Sequence, residues 1–454
     1  MYYAAVLFSI VSSAIVPGRI VPGQVDAAPP DPVEAVARAR AAVERAPSEF
    51  KPVLDLARAL TALGRLDDAL AAFAQARELE PTGAGNEGGI SGERVSVYVV
   101  PALLLRDLDR TGDAIRLLEE AADRRLGSAD VYEQLALLRL ADGLVDGALA
   151  AVAAAAAESL ESPGLDLARG LALARLGDRR GEALGYLTGA LDDGVGDPVV
   201  VRLEAAGILS ADGRHAEAIE HLRAAQELAS DEPEVFYRLG RVFAAAGGHE
   251  AARAALDRYR SLKEARERAA EAERVASTKT ASALSDAQRL AEAGDLEAAL
   301  ERLEGLPGRS EDSWAADVHS LRAKVLFSMG RVDEAAASAV EARQLDPNRV
   351  EHHYLEGMFL HTGGRAEDAA VALERALAID PGLAEAHALL GMIAAEAGRP
   401  AEAAERMGRA LELGLDGNAP LRFNYARVLE ILGRGEEANA QMEAYERLRA
   451  AGPP

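Results

Sequence analysis

Cysteine is absent from the 454 residues. Disulfides, thiolate metal sites, a cysteine nucleophile and a lipid-modified cysteine anchor are therefore excluded. Aromatic residues make up only 4% of the chain. Strands are enriched in aromatic and β-branched residues, so their scarcity beside abundant Ala and Leu points to helices. Lysine is nearly missing: four of the 50 basic residues, Lys51, Lys263, Lys279 and Lys324, are lysine, a bias that accompanies GC-rich bacterial genomes. Positive charge is also short overall, with 74 acidic residues against 50 basic and a net charge of −24. A surface this acidic repels phosphate backbones, which argues against nucleic acid as a partner.

Long apolar runs are missing too. The longest, Ala4 to Val16, is stopped by Pro17, Gly18 and Arg19 before the roughly 20 residues that span a bilayer. No stable membrane span is expected. That run has the length of a signal-peptide apolar core, and Val25-Asp26-Ala27 offers small residues for cleavage before Ala28. No Lys or Arg precedes it, which departs from the usual pattern. We read 1–27 as a signal peptide and expect export, to the periplasm or beyond. The alternatives are a cytoplasmic chain and an N-terminal anchor.

What is present is a period. Leu-Gly-Arg or a close variant occurs at Gly64, Gly143, Gly177, Gly213, Gly247, Gly294, Gly330, Gly364, Gly398 and Gly433. The steps Gly143 to Gly177, Gly213 to Gly247, Gly330 to Gly364 and Gly364 to Gly398 are each 34 residues. Seven residues before each glycine stands Ala or Gly, such as Ala57, Ala136, Gly170, Gly240, Gly357 and Gly391. Five residues after it stands Ala, such as Ala69, Ala148, Ala218, Ala335, Ala369 and Ala403; Gly177 is offset by one, at Ala183. The same frame laid on Asp109 finds Ala102, Ala114 and Ala121, a unit whose turn glycine has been replaced. Glycine takes the left-handed backbone that ends a first helix. Small residues flanking it let two helices cross closely, and Pro81, Pro347 and Pro381 stop the second helix. Such a hairpin cannot bury its apolar face alone, so neighbours must stack.

This frame resembles the tetratricopeptide repeat, a 34-residue helix-turn-helix unit. The resemblance covers about 33 to 450 and is most specific from Ala316 to Ala410. It implies an all-α helical-hairpin solenoid of about eleven repeats and a protein-binding scaffold rather than an enzyme. Where the family carries a bulky aromatic early in the first helix, this chain has His319, His353 and His387.

The frame breaks twice. The 45-residue step from Gly64 to Asp109 contains Gly83-Ala84-Gly85-Asn86-Glu87-Gly88. That string matches a dinucleotide fingerprint by letter, but it lacks the preceding strand that the site requires, so a surface loop is the reading. The 47-residue step from Gly247 to Gly294 holds a charged stretch with pairs such as Glu264 and Arg268. We read 31–260 as an N-terminal array, 261–280 as a charged helical linker jointed at Ser277-Thr278-Lys279-Thr280, and 281–454 as a C-terminal array. Asp31 to Pro47 fits the frame of a lone second helix and is expected to cap the first array.

Chemistry is sparse. His319, His353 and His387 recur every 34 residues, which stacking would hold roughly 8–10 Å apart, too far for one zinc ion. They are expected in the hairpin interior. His-Glu-x-x-His, Gly-x-Ser-x-Gly and phosphate-loop motifs do not occur. No catalytic residue, metal ligand or cofactor site is assigned. An enzyme would need a convergent polar pocket with perturbed acids, and that reading is kept as the alternative. The family's lysine–asparagine–arginine clamp for acidic tails is not rebuilt: Lys324 is present, but Leu355 stands where asparagine would follow.

The resemblance also implies where a partner would dock. First helices line the inner face of such arrays, with inward residues ten, six and three before the turn glycine. In the C-terminal array these include Lys324, Phe327, Tyr354, Met358, Met392, Phe423 and Arg427. Aromatic, methionine and arginine side chains are the types that anchor interfaces. A protein or peptide partner is expected there.

Overall fold

In the computed structural model, which describes residues 32–80, 90–306 and 314–451, helices follow one another without a strand among the described residues. The signal-peptide reading over 1–27 and the glycine-rich string at 83–88 lie outside them. A lone helix α1 (Pro32–Arg45) precedes α2 (Phe50–Ala62), α3 (Leu66–Glu78), α4 (Ile90–Asp107), α5 (Thr111–Asp123), α6 (Ala129–Ala141) and α7 (Val145–Ala157). Then come α8 (Pro163–Leu176), α9 (Arg180–Asp192), α10 (Pro198–Ala211), α11 (His215–Leu228), α12 (Pro233–Ala245) and the long α13 (His249–Glu292). The C-terminal hairpins use α14 (Leu296–Glu304), α15 (Ala315–Ser328), α16 (Val332–Leu345), α17 (Val350–Thr362) and α18 (Ala366–Ile379). They end with α19 (Ala384–Glu396), α20 (Pro400–Ala410), α21 (Ala419–Ile431) and α22 (Gly435–Ala451).

The turn chemistry explains the hairpins. All ten glycines of the frame have φ between 70° and 83°, and Asp109, at the position without glycine, has φ 59°. Aspartate is among the few non-glycine residues that visit this region. The small residues mark the crossings. A Cβ added at Gly357 would stand 2.6 Å from Leu373 Cγ and 3.1 Å from the Ala369 carbonyl oxygen. One added at Gly391 would stand 2.7 Å from Met407 Cγ. Ala69, Ala114, Ala148, Ala183, Ala218, Ala335, Ala369 and Ala403 are fully buried. Helix backbones therefore approach closely at every repeat, as the spacing predicts.

Departures from a 34-residue step have local causes. The step from Gly398 to Gly433 is one longer, and α20 ends in a kinked turn, Leu411–Leu415, with Gly414 at φ 116°. Gly414 lies outside helical backbone, so the extra residue is taken up in the kink that ends this helix. Across 261–280 the chain stays helical, and no joint forms at Ser277 to Thr280; α13 runs on to Glu292 and supplies the first helix of the next hairpin. The hydroxyl of Thr278 donates to the Arg274 carbonyl at 2.8 Å, satisfied within its own helix instead of breaking it.

The chain forms two compact units. One comprises 48–57 and 66–271; the other comprises 272 onward together with 29–47 and 58–65. Helix α1, which sequence spacing attaches to the N-terminal array, thus packs within the C-terminal unit, against α18. Its own chain neighbours could not reveal this, because the frame records helix order and not which distant helix a capping element meets.

Candidate protein-interaction surface

The first helices of the C-terminal hairpins, α15, α17, α19 and α21, carry the seven residues singled out by spacing. Lys324 on α15 reaches across to α17 and donates to Glu351 at 2.5 Å. That bond holds the Glu351 carboxyl below its usual range. Arg349 binds Asp317 and lies 3.6 Å from Glu351. These four charged groups border a cleft of about 670 Å³ with Leu284, Leu321 and Gln288. These four charges are mutually paired, so a ligand there would have to compete with existing ion pairs, while a fifth lining carboxylate, Glu292, accepts from Gln288 at 3.0 Å.

Phe327 is half-buried, and its ring meets the fully buried Phe359 with centroids 4.7 Å apart. Tyr354 and Met358 are half-buried as well and pack on the same apolar core. Burial first, and the charge of Glu385 second, push the Tyr354 hydroxyl above its ordinary pKa. Met392 and Arg427 share a second cleft of about 320 Å³ with Glu396, Asn424 and Ile431. Ile431 is 72% exposed, an apolar side chain that the spacing rule did not select. Phe423 turns to Tyr445 on α22, with centroids 5.3 Å apart. The structure thus places Lys324 in one cleft and Met392 with Arg427 in another, while Phe327, Tyr354 and Phe423 are partly engaged in packing.

The histidines lie where the spacing placed them. His353 is 2% exposed and His387 9%. Each donates from Nε2 to a carbonyl six residues earlier: Pro347 at 2.8 Å and Pro381 at 3.1 Å. They clip the turn between hairpins. His319 is half-buried, and burial lowers its pKa. His352, which the spacing did not single out, is fully buried with Nδ1 3.2 Å from the Asp346 carbonyl. Among the described residues no group of three or more His, Asp or Glu side chains is arranged to hold a metal ion.

One acid in the N-terminal unit is shifted upward by its surroundings. Burial raises the pKa of Glu133, although Ser162 donates to it at 3.2 Å. The same Ser162 caps α8 by accepting from the Leu165 amide. Glu133 thus belongs to a helix start.

The Tetratricopeptide repeat family profile matches 31–84, 203–267 and 320–384. The hairpins within these three stretches match the tetratricopeptide repeat. An array of such repeats is a protein-interaction scaffold. Solved structures of MamA are similar in part. One crystal structure of MamA is 19% identical over 36% of this chain and 95% of that chain, with a TM-score of 0.33. MamA from Desulfovibrio magneticus RS-1, from residue 41 to the end, is 19% identical over 37% of this chain and 94% of that one, with a TM-score of 0.34. None of the curated proteins matches the sequence.

Proposed function

We propose that this tetratricopeptide-repeat chain is a scaffold of the bacterial cell envelope that docks a peptide or protein surface on the first-helix face of its C-terminal hairpins. The observation that carries the reading is the cleft where Met392, Arg427 and the 72%-exposed Ile431 lie side by side. An adaptable thioether, a guanidinium and an exposed aliphatic chain offer apolar contact with one directional charge. Lys324, paired to Glu351, frames the same face at the other end and sets charge preference rather than affinity. Phe327, Tyr354, Met358 and Phe423 support that surface from below. Export rests on the apolar run at Ala4 to Val16 and the small residues before Ala28.

The test is crosslinked capture from envelope extract with the natural chain and with the double variant Arg427→Glu, Ile431→Asp. Both positions are exposed, so melting should hold while capture of a specific partner falls at least about tenfold, the effect of losing one interface anchor. Equal capture by both chains would place the site elsewhere. Sequencing of the natural chain should begin near Ala28; an intact Met1 in the cytoplasmic fraction would remove export from the proposal.

A further inference from the structure

Helix α1 stands where the second helix of a hairpin would. The chain leaves it through Ala46-Pro47-Ser48-Glu49, a turn with the same pattern as Asp346 to Arg349 and Asp380 to Leu383 between hairpins. It is therefore a second helix with no first helix before it in the described chain. Its stripe of Val33, Val36 and Ala39 is buried, and it packs against α18, more than 300 residues away in sequence. Beyond the stripe, Arg40 donates to the carbonyls of Leu377 at 3.4 Å and Ile379 at 3.3 Å, and to that of Ala378 between them. Those carbonyls end α18, where an α-helix leaves its last four acceptors without intrahelical partners, and a cation at that end also complements the helix dipole.

The fit is incomplete. Alongside α1 a cleft of about 410 Å³ stays open, lined by Val33 and Ala37 on one side and Val371, Ala378, Leu390 and Ile393 on the other. Val371 at its edge is 55% exposed, and Ala37 is exposed too. A 14-residue helix is marginal by itself in water and depends on docking for its order. The α18–α19 surface thus has three features of a helix receptor: a trough with an apolar floor rimmed by Glu374, Arg375, Arg399 and Glu402, a terminal set of carbonyl acceptors for arginine, and a helical occupant that leaves part of the trough unfilled.

We propose that the α18–α19 surface is a receptor for an amphipathic helix of a partner protein, and that α1 is its resident, displaceable occupant. This deepens the scaffold reading and rests on it, by naming a partner class for a second face of the same unit. The partner helix carries aliphatic residues at the positions of Val33 and Val36, a residue larger than alanine at the position of Ala37, and arginine at the position of Arg40. That is the i, i+3, i+4, i+7 pattern by which helices lie in grooves, with the i+4 side chain filling the open cleft. While α1 is docked, the partner's apparent affinity is lowered by the fraction of time the trough is open.

The experiment titrates a labelled peptide of sequence Pro32–Arg45 carrying Ala37→Leu against the full chain. The receptors are the natural chain, Val36→Asp, and the milder Arg40→Ala. Both variants should bind the peptide at least about tenfold more tightly than the natural chain, as expected if the trough is open no more than a tenth of the time. Adding Val371→Asp to either variant should abolish the gain; Val371 is more than half exposed, so this change spares the core. Equal binding by the natural chain and both variants overturns the proposal, as does a gain that survives Val371→Asp or a lack of binding by all three. None of these outcomes touches Arg427 or Ile431, so the first-helix face stands or falls by its own test.

Discussion

The two units join several of their successive hairpins differently. In the C-terminal unit α16 and α18 end in Asp346-Pro347 and Asp380-Pro381, and His353 and His387 bond back to the proline carbonyls. In the N-terminal unit α5, α7 and α9 end in residues of positive φ: Arg125 at 50°, Ser159 at 58° and Gly194 at 67°. Proline stops a helix by lacking an N–H and by restricting the residue before it. A left-handed residue stops it by curling the chain back, at a steric cost for arginine or serine. The turns at Asp346-Pro347 and Asp380-Pro381 are therefore written in the sequence. The N-terminal turns are held by tertiary context. Between the ends of α3 and α5 the counterpart to the histidine clip is an ion cluster: buried Glu80 accepts from Arg94 at 2.6 Å, from Tyr98 at 3.1 Å and from Arg124 at 3.2 Å.

That contrast is broken most severely at Glu80. The Tyr98 hydroxyl lies in a fully buried side chain, and burial with the charge of Glu80 pushes its pKa up to about 12. Glu80→Ala would orphan that hydroxyl and remove the acceptor for two guanidinium groups. Both arginines are partly exposed, so water recovers some of their solvation. The net loss should be about 2–3 kcal/mol, or roughly 4–12 °C in the melting of a unit of this size. Calorimetry on the full chain checks it. An unchanged midpoint would mean that the cluster only decorates the surface.

Much of the fold was legible because its determinants are local. Each turn glycine, each alanine five residues on and each small residue seven back reports a steric need of one hairpin. Even Asp109 was found by the frame. The docking partner of α1 was not legible, since a helix pattern records which face is apolar and not what covers it. The linker joint at Ser277 to Thr280 was misread because Ser and Thr are frequent in loops. In α13 Thr278 bonds to its own helix. The candidate surface was legible only as a list of inward positions. Spacing could not foresee that Phe327 stacks on Phe359 and Phe423 on Tyr445, because ring pairing depends on the neighbouring helix.

The crossings should behave alike in both units, which makes them a control. Ala369 and Ala218 are both fully buried, each five residues after its turn glycine. Replacing either by leucine should overpack its hairpin and cost ~1–3 kcal/mol. Ala369→Leu should lower the melting of the C-terminal unit and Ala218→Leu that of the N-terminal unit, by similar amounts. A midpoint unmoved by Ala369→Leu would show that the frame has been misaligned there. A much larger loss in one unit would show that the two differ in packing as well as in their turns.

The smallest effect concerns protons at the clips. Burial lowers the pKa of His387, helped by Arg406 and Arg409 and opposed by its bond to Pro381 and by Glu374. The folded chain thus keeps this ring neutral at a pH where the unfolded chain, near the ordinary 6.5, takes up a proton. When a folded pKa is depressed, stability is complete above the unfolded value and declines as pH falls from there toward the folded one. His319 is lowered by burial in the same way, whereas the N-terminal unit has His221. Acidification from pH 7.5 to 5.5 should therefore erode the C-terminal unit more. The carboxylates with lowered pKa, such as Glu334 and Glu351, contribute a separate loss that begins below the ordinary carboxylate value near 4.3. The variant His387→Phe gives up the bond to Pro381 and should melt lower at pH 7.5. Its further drop on going to pH 5.5 should nevertheless be smaller than that of the natural chain, because one proton-linked group is gone. An equal drop in the two proteins would mean that His387 does not carry the pH response, and that the clip is a steric device alone.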